Sequence, residues 1–154
     1  MKRESWVVVG AMLLAMPLAA QGKPLTVTGV RGVTFGAVLP GVPLVVLRTD
    51  PANSGQLDIK GPKGLVLLSF VLPVTMTGPS GALMPLAFGA GDAGYSQTQA
   101  IGSQVGFDPK QPFTATIPNN GRSSVFIGAT ANPATSQRAG AYTATIILNV
   151  TVLP

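Results

Sequence analysis

Apolar and polar residues alternate most regularly at the end of the chain, in GAYTATIILNVTVLP from Gly140 to Pro154. The even-numbered positions from Tyr142 to Val152 are apolar, and most of the odd-numbered positions are Thr or Asn. Because successive side chains of a strand point to opposite faces, this pattern predicts a long, half-buried β-strand. Its free edge would be covered either by another strand of the same chain or by one from a different molecule.

The rest of the chain shows short apolar or alternating stretches that are separated by turns rich in Gly, Pro and Asn. Together with the final strand they predict about eight strands, and no helical pattern follows the N-terminal segment. This is typical of an all-β sandwich, with a barrel as the alternative. The predicted strands lie within residues 23–31, 33–41, 42–48, 56–60, 65–76, 82–88, 112–118 and 123–129.

Residues 89–111 are polar, rich in Gly and weakly patterned. We expect a long loop there, with one or two short strands, for example around residues 104–107. Most aromatic residues fall inside strand patterns and are expected in the core. Tyr95 and Phe107 lie in this polar stretch, so they are the better candidates for exposed contacts.

Residues 1–22 begin with Lys2 and Arg3 and continue with the apolar run WVVVGAMLLAMPLAA. This three-part form predicts a secretory signal, cleaved after Ala20 or Gly22. A membrane anchor is the alternative, but the run is shorter than the about 20 residues that span a bilayer. The remaining chain would be one domain, residues 32–154, preceded by the short extended segment 23–31.

The composition argues against an enzyme and against a cofactor or metal site. The chain has no Cys and no His, which removes thiol chemistry, the commonest general base and the commonest metal ligand. Asp50, Asp92 and Asp108 occupy turn sequences, and Asp58 alternates with apolar neighbours in a strand. The net charge of +5 comes from scattered basic residues, so we expect no nucleic-acid binding.

Two stretches, LTVTGVRGVTFGAVLPG and SSVFIGATANPATSQRAGAYTATIILNVTVL, carry a family likeness. The first is an alternating strand followed by an aromatic-Gly pair and a Pro-Gly turn, and the second has Ala-Gly-x-Tyr at the opening of the terminal strand. Together they resemble small secreted bacterial domains that are related in pattern to pilins of the archaic chaperone–usher type, the spore coat protein U-like group.

The resemblance implies an immunoglobulin-like β-sandwich that lacks its last strand and is completed by a donor strand. The donor would be residues 23–31 of another subunit, with Leu25, Val27 and Val30 as its apolar plugs. The acceptor groove would be lined by the strand that begins at Val33 and by the final strand, through Ile146, Leu148, Val150 and Val152.

The function implied is that of a secreted structural subunit of a surface pilus or fimbria, which assembles by donor-strand exchange and serves cell adhesion. Its partners would be copies of itself or related subunits, a periplasmic chaperone and an outer-membrane usher. It would cross the periplasm and reside at the cell surface or in an extracellular fibre. The alternative is a self-contained secreted β-sandwich that binds a carbohydrate or protein at the cell surface. In the first case residues 23–31 are detached from their own domain; in the second they pair within it.

Overall fold

The computed structural model describes residues 22–154, and the predicted signal lies outside the described residues apart from Gly22. Twelve strands form the described part, with two single 3₁₀ turns at Pro79–Gly81 and Ile101–Ser103. The strands are β1 (Thr26–Arg31), β2 (Leu44–Val46), β3 (Gly55–Lys60), β4 (Gly64–Val71), β5 (Thr75–Thr77), β6 (Leu83–Ala87), β7 (Ala93–Ser96), β8 (Val105–Phe107), β9 (Phe113–Ile117), β10 (Arg122–Ile127), β11 (Ala129–Ala131) and β12 (Ile147–Val152).

The strands form three antiparallel sheets, so the prediction of an all-β, sandwich-like fold is confirmed. The sheet orders are β1-β3-β10-β7-β8, β2-β11-β6-β5 and β12-β4-β9. Only Gly128 separates β10 from β11, so one continuous backbone passes from the first sheet into the second. A Cβ at Gly128 would overlap the carbonyl oxygen of Val46, and glycine therefore permits this close passage.

The sandwich contains two apolar cores. The first joins the five-stranded and three-stranded sheets, and the second lies beneath the four-stranded sheet. Phe70 packs against both cores and so connects them. The first core includes Ile59, Val66, Leu68, Ile117, Val125 and Leu148, and the second includes Met76, Met84, Leu86, Phe88, Ile127 and Ala129.

The region 89–111 differs from the prediction in its aromatic residues. It contains β7, a 3₁₀ turn and β8, which agrees with the short strand expected around residues 104–107. Tyr95 and Phe107 were expected to be exposed, and this is wrong: they are 4% and 7% exposed. All four residues of β7 are buried, so this strand has no alternation to reveal it in the sequence. The Phe107 ring stacks on Phe113 with ring centroids 4.2 Å apart.

Two further strand predictions need correction. The segment 33–41 is not a strand, and at its centre Gly36 has φ of 65°, a left-handed conformation that interrupts an extended backbone. The final strand is shorter than predicted, because regular pairing begins only at Ile147. The alternation is confirmed for Tyr142, Ile146, Leu148 and Val150, which are buried or partly buried, but it is wrong for Ala144 and Val152, which are exposed.

The aspartates predicted to occupy turns do so. Asp50 accepts hydrogen bonds from the backbone N–H groups of Ala52 and Asn53, and Asp108 accepts one from Lys110. Asp58 lies in β3, where it accepts hydrogen bonds from Ser124 and Gln56. Among the described residues no group of three potential metal ligands occurs, and no helix there has the length and apolar character to cross a membrane.

Tyr95 should make stability depend on pH in the alkaline range. Burial raises the pKa of Tyr95 above its ordinary value of 10.0. The unfolded chain therefore loses this proton at a lower pH than the folded chain, and stability falls as the pH rises from about 10 through the higher folded value. Denaturant midpoints between pH 8 and 11.5 should fall more steeply for the wild type than for Tyr95→Phe. Parallel curves would contradict this assignment.

Candidate strand-binding groove

An apolar groove of about 960 Å³ lies between two irregular segments of the chain. The first segment, residues 33–38, follows β1, and we call it the early wall. The second, residues 139–146, leads into β12, and we call it the late wall. The base of the groove is formed by side chains of the second core, namely Met76, Met84, Leu86, Ile127 and Ala129.

The early wall turns apolar side chains towards the second core. Val33, Phe35 and Val38 are partly buried and pack against that core. Thr34 donates its backbone N–H to the carbonyl oxygen of Asn53 at 2.9 Å, which attaches the start of the wall to the domain. The wall therefore presents apolar side chains to the second core, and no described strand pairs with its backbone.

The late wall is attached to β5 rather than extending β12. Thr143 and Thr77 exchange two backbone hydrogen bonds, of 2.8 and 3.0 Å. The Tyr142 ring lies against Gly78 so closely that a Cβ at Gly78 would overlap it. The Tyr142 hydroxyl donates to the carbonyl oxygen of Arg138 and accepts from Gln137 Nε2, both at 2.7 Å. These contacts draw residues 139–143 away from the line of β12 and so form one side of the groove.

Removal of the Tyr142 hydroxyl should loosen the late wall. Tyr142→Phe loses two hydrogen bonds but keeps the ring on Gly78. We expect a loss of about 1–2 kcal/mol in the free energy of unfolding, because each such bond contributes about 1 kcal/mol net. Denaturant titration measures this, with Thr145→Ala at an exposed neighbouring position as the control. Equal stability of the two variants would show that the hydroxyl does not anchor the wall.

Both walls carry backbone groups without partners in the described part of the chain. Residues 35–38 and 144–146 neither donate nor accept a hydrogen bond to another described residue. The described strands leave one edge of β12 unpaired, and Ile146, which lines the groove, directly precedes this strand. Unpaired N–H and C=O groups along an extended backbone are the groups that pair with an added strand. The groove thus combines an apolar base with two backbones able to hydrogen-bond to an extended segment.

The sequence-predicted acceptor residues divide between the groove and the first core. Ile146 lines the groove, as do the residues that begin at Val33. Leu148 and Val150 instead pack with the first core, and Val152 is half-exposed at the end of β12. No local pattern in the sequence indicated that Met76, Met84 and Ala129 contribute to the base, because these residues come together through the pairing of β5, β6 and β11.

The predicted donor residues lie in or beside β1, which pairs antiparallel with β3 of the same domain. Residues 23–31 are therefore not detached in this structure. Leu25 precedes the strand and packs against the first core, whereas Val27 and Val30 are 39% and 54% exposed. The pairing register shifts between Gly29 and Arg31, so Val30 lies at a β-bulge.

Comparison with protein-family models found none that matches this chain, and comparison with curated proteins found no match.

Proposed function

We propose that the protein is a structural subunit that assembles head-to-tail, with residues 23–31 of one copy entering the groove of the next. The observation that carries this proposal is the groove itself. It is apolar, and both of its walls have backbone N–H and C=O groups without a hydrogen-bond partner among the described residues. A small-molecule site needs no such pair of open backbones, whereas an added strand uses both. Because donor and acceptor surfaces differ, the contact does not close on itself and produces a filament.

The donor segment has the side-chain pattern that the groove requires. In KPLTVTGVR, Leu25 and Val27 alternate with Thr26 and Thr28, so the apolar pair shares one face of an extended segment. In β1 that segment pairs along one edge only, with β3. In the groove it would pair along two edges and bury apolar surface that is now exposed. Burying the exposed part of Val27 would contribute about 1 kcal/mol.

The wider role follows the resemblance seen in the sequence. We propose a secreted subunit of a surface pilus or fimbria, delivered through the periplasm and active in cell adhesion. A periplasmic chaperone would occupy the groove before assembly, and an outer-membrane usher would guide subunit exchange. An apolar groove of this size would need such cover before assembly, because exposed apolar surface with open strand edges promotes aggregation.

A labelled peptide, KPLTVTGVR, tests the groove in the intact protein. We expect saturable binding of this peptide by fluorescence anisotropy, and much weaker binding of a control peptide with Asp at the positions of Leu25 and Val27. Equal binding of the two peptides, or binding of neither, would contradict the proposal, because only the apolar face distinguishes them.

The second candidate function is a self-contained surface-binding domain, and the pairing of β1 with β3 favours it. The structure offers this candidate little recognition chemistry, however. Tyr95 and Phe107 are buried, and every described aromatic side chain is buried or partly buried. Carbohydrate recognition commonly uses an exposed aromatic face. A folded protein that stays monomeric at all concentrations would favour this second function.

A further inference from the structure

We propose that β1 is a stored donor strand, kept on the edge of β3 in the free subunit and released from it when the subunit assembles. This inference rests on the proposed function and adds its regulation: donor docking competes with an intramolecular pairing. The structure supplies three observations that bear on it, namely how β1 is attached, where it is anchored, and what its departure would leave behind.

The attachment of β1 is almost entirely through its backbone. The strand lies at the end of the five-stranded sheet, and β3 is its only partner among the described strands. The side chains of Thr26, Val27, Thr28 and Val30 are all exposed. Leu25 is the one apolar contact of the segment with the first core, where its Cδ1 lies against Gly61. Release would therefore break one ladder and one core contact and would leave the core strands in place.

The anchor lies at the C-terminal end of β1. Arg31 donates from Nε to the carbonyl oxygen of Ser54 at 2.6 Å and from Nη2 to the hydroxyl of Ser54 at 3.1 Å. Ser54 is fully buried, so this clamp fixes Arg31 to the domain. The β-bulge between Gly29 and Arg31 precedes the clamp, and Gly32 follows it. The irregularity and the flanking glycines place a hinge next to a fixed point. Residues 23–29, the part of the donor segment that carries Leu25 and Val27, can therefore swing away and dock, while Val30, Arg31 and the early wall stay with their own domain.

Departure of β1 leaves the edge of β3 without a partner. In the stored state β1 pairs with β3 of its own domain, and the groove of the next copy is left without a donor strand. In the docked state the donor segment lies in that groove, and the edge of β3 in its own domain is left without a partner. Such a balance keeps free subunits from polymerising at low concentration and favours assembly once many grooves are available. Storage on β3 thus acts as an intramolecular competitor of assembly.

A disulfide between β1 and β3 tests this inference. Thr26 and Lys60 are directly opposite in the antiparallel pairing, and both are exposed. Directly opposite residues of antiparallel strands have Cα atoms about 4.5–5.5 Å apart, which lies within the range of Cα separations that disulfides span. The chain has no Cys, so the double variant Thr26→Cys, Lys60→Cys forms no other intramolecular disulfide. The reduced form of the same protein is the matched control, and assembly is followed by size-exclusion chromatography with light scattering.

We expect the reduced form to polymerise and the oxidised form to remain monomeric while still binding the peptide KPLTVTGVR. A small proportion of oxidised protein should also shorten wild-type polymers, because it accepts a donor strand but cannot provide one. Polymerisation of the oxidised form would overturn the inference, since β1 would then not need to leave β3. If neither form polymerises but both bind the peptide, the inference is also overturned, because β1 is then not the donor. If neither form binds the peptide, the proposed function fails as well.

Discussion

Replacement of Ala144 by Asp is expected to abolish docking of the donor segment and leave the monomer folded. Ala144 is exposed and lines the groove on the late wall, so the free protein can hydrate the new carboxylate. An inserted strand would remove that water, and an unpaired charge in an apolar site costs several kcal/mol. We expect the dissociation constant of the peptide to rise by about 100-fold or more, which corresponds to about 2.7 kcal/mol.

The matched control for this variant is the neighbouring position. Thr145 is also exposed but does not line the groove. Thr145→Asp should bind the peptide like the wild type. The free energy of unfolding of both variants should lie within about 0.5 kcal/mol of the wild-type value. Equal binding by the two variants would show that the peptide binds elsewhere, for example at the edge of β3.

Replacement of Val27 by Asp should prevent the segment 23–31 from acting as a donor strand and leave the groove able to bind one. Val27 is 39% exposed in β1, so a charge there stays hydrated and should cost the monomer no more than about 1 kcal/mol. In the groove of another copy the same position would face the apolar base. We expect no polymer from this variant alone, and unchanged binding of the wild-type peptide.

Thr26→Asp is the control for the donor position. Thr26 lies on the opposite face of β1 and directly across from Lys60, so an acidic side chain there meets an opposite charge. This variant should polymerise like the wild type. Loss of assembly in both variants would mean that any charge in β1 prevents assembly, which would argue against a specific apolar face. Leu25→Asp is less informative, because Leu25 already packs against the first core and its loss should weaken the monomer itself.

The sequence predicted the fold class because strand alternation depends only on local order along the chain. Tyr142, Ile146, Leu148 and Val150 are buried or partly buried as expected, although Ala144 between them is exposed. The strands β3, β4 and β10 lie where strands were predicted. The alternation of apolar and polar residues did not predict the structure correctly where pairing with a strand distant in sequence determines it. The late wall alternates like a strand but is drawn to β5 by the Thr143–Thr77 pairing and by the Tyr142 ring on Gly78.

The groove was predictable only at its walls. The resemblance implied an acceptor groove lined by Val33 and Ile146, and both residues line the apolar groove described here, whereas Leu148 and Val150 pack with the first core. Its base was not predictable, because Met84 and Ala129 are far apart in sequence and meet through the pairing of β6 with β11. The burial of Tyr95 was missed for a similar reason, since its neighbours Ala93, Gly94 and Ser96 are also buried and give no alternating signal.

Assembly in a mixture of two defective subunits tests head-to-tail strand exchange most directly. The Val27→Asp variant can bind a donor strand in its groove but cannot provide one. The Ala144→Asp variant can provide a donor strand but cannot bind one. On an unboiled denaturing gel, the wild type should give a ladder that collapses on boiling, and each variant alone should give a monomer. An equimolar mixture should give a dimer and nothing longer. A mixture that stays monomeric, or a ladder from either variant alone, would contradict exchange of residues 23–31 into the groove.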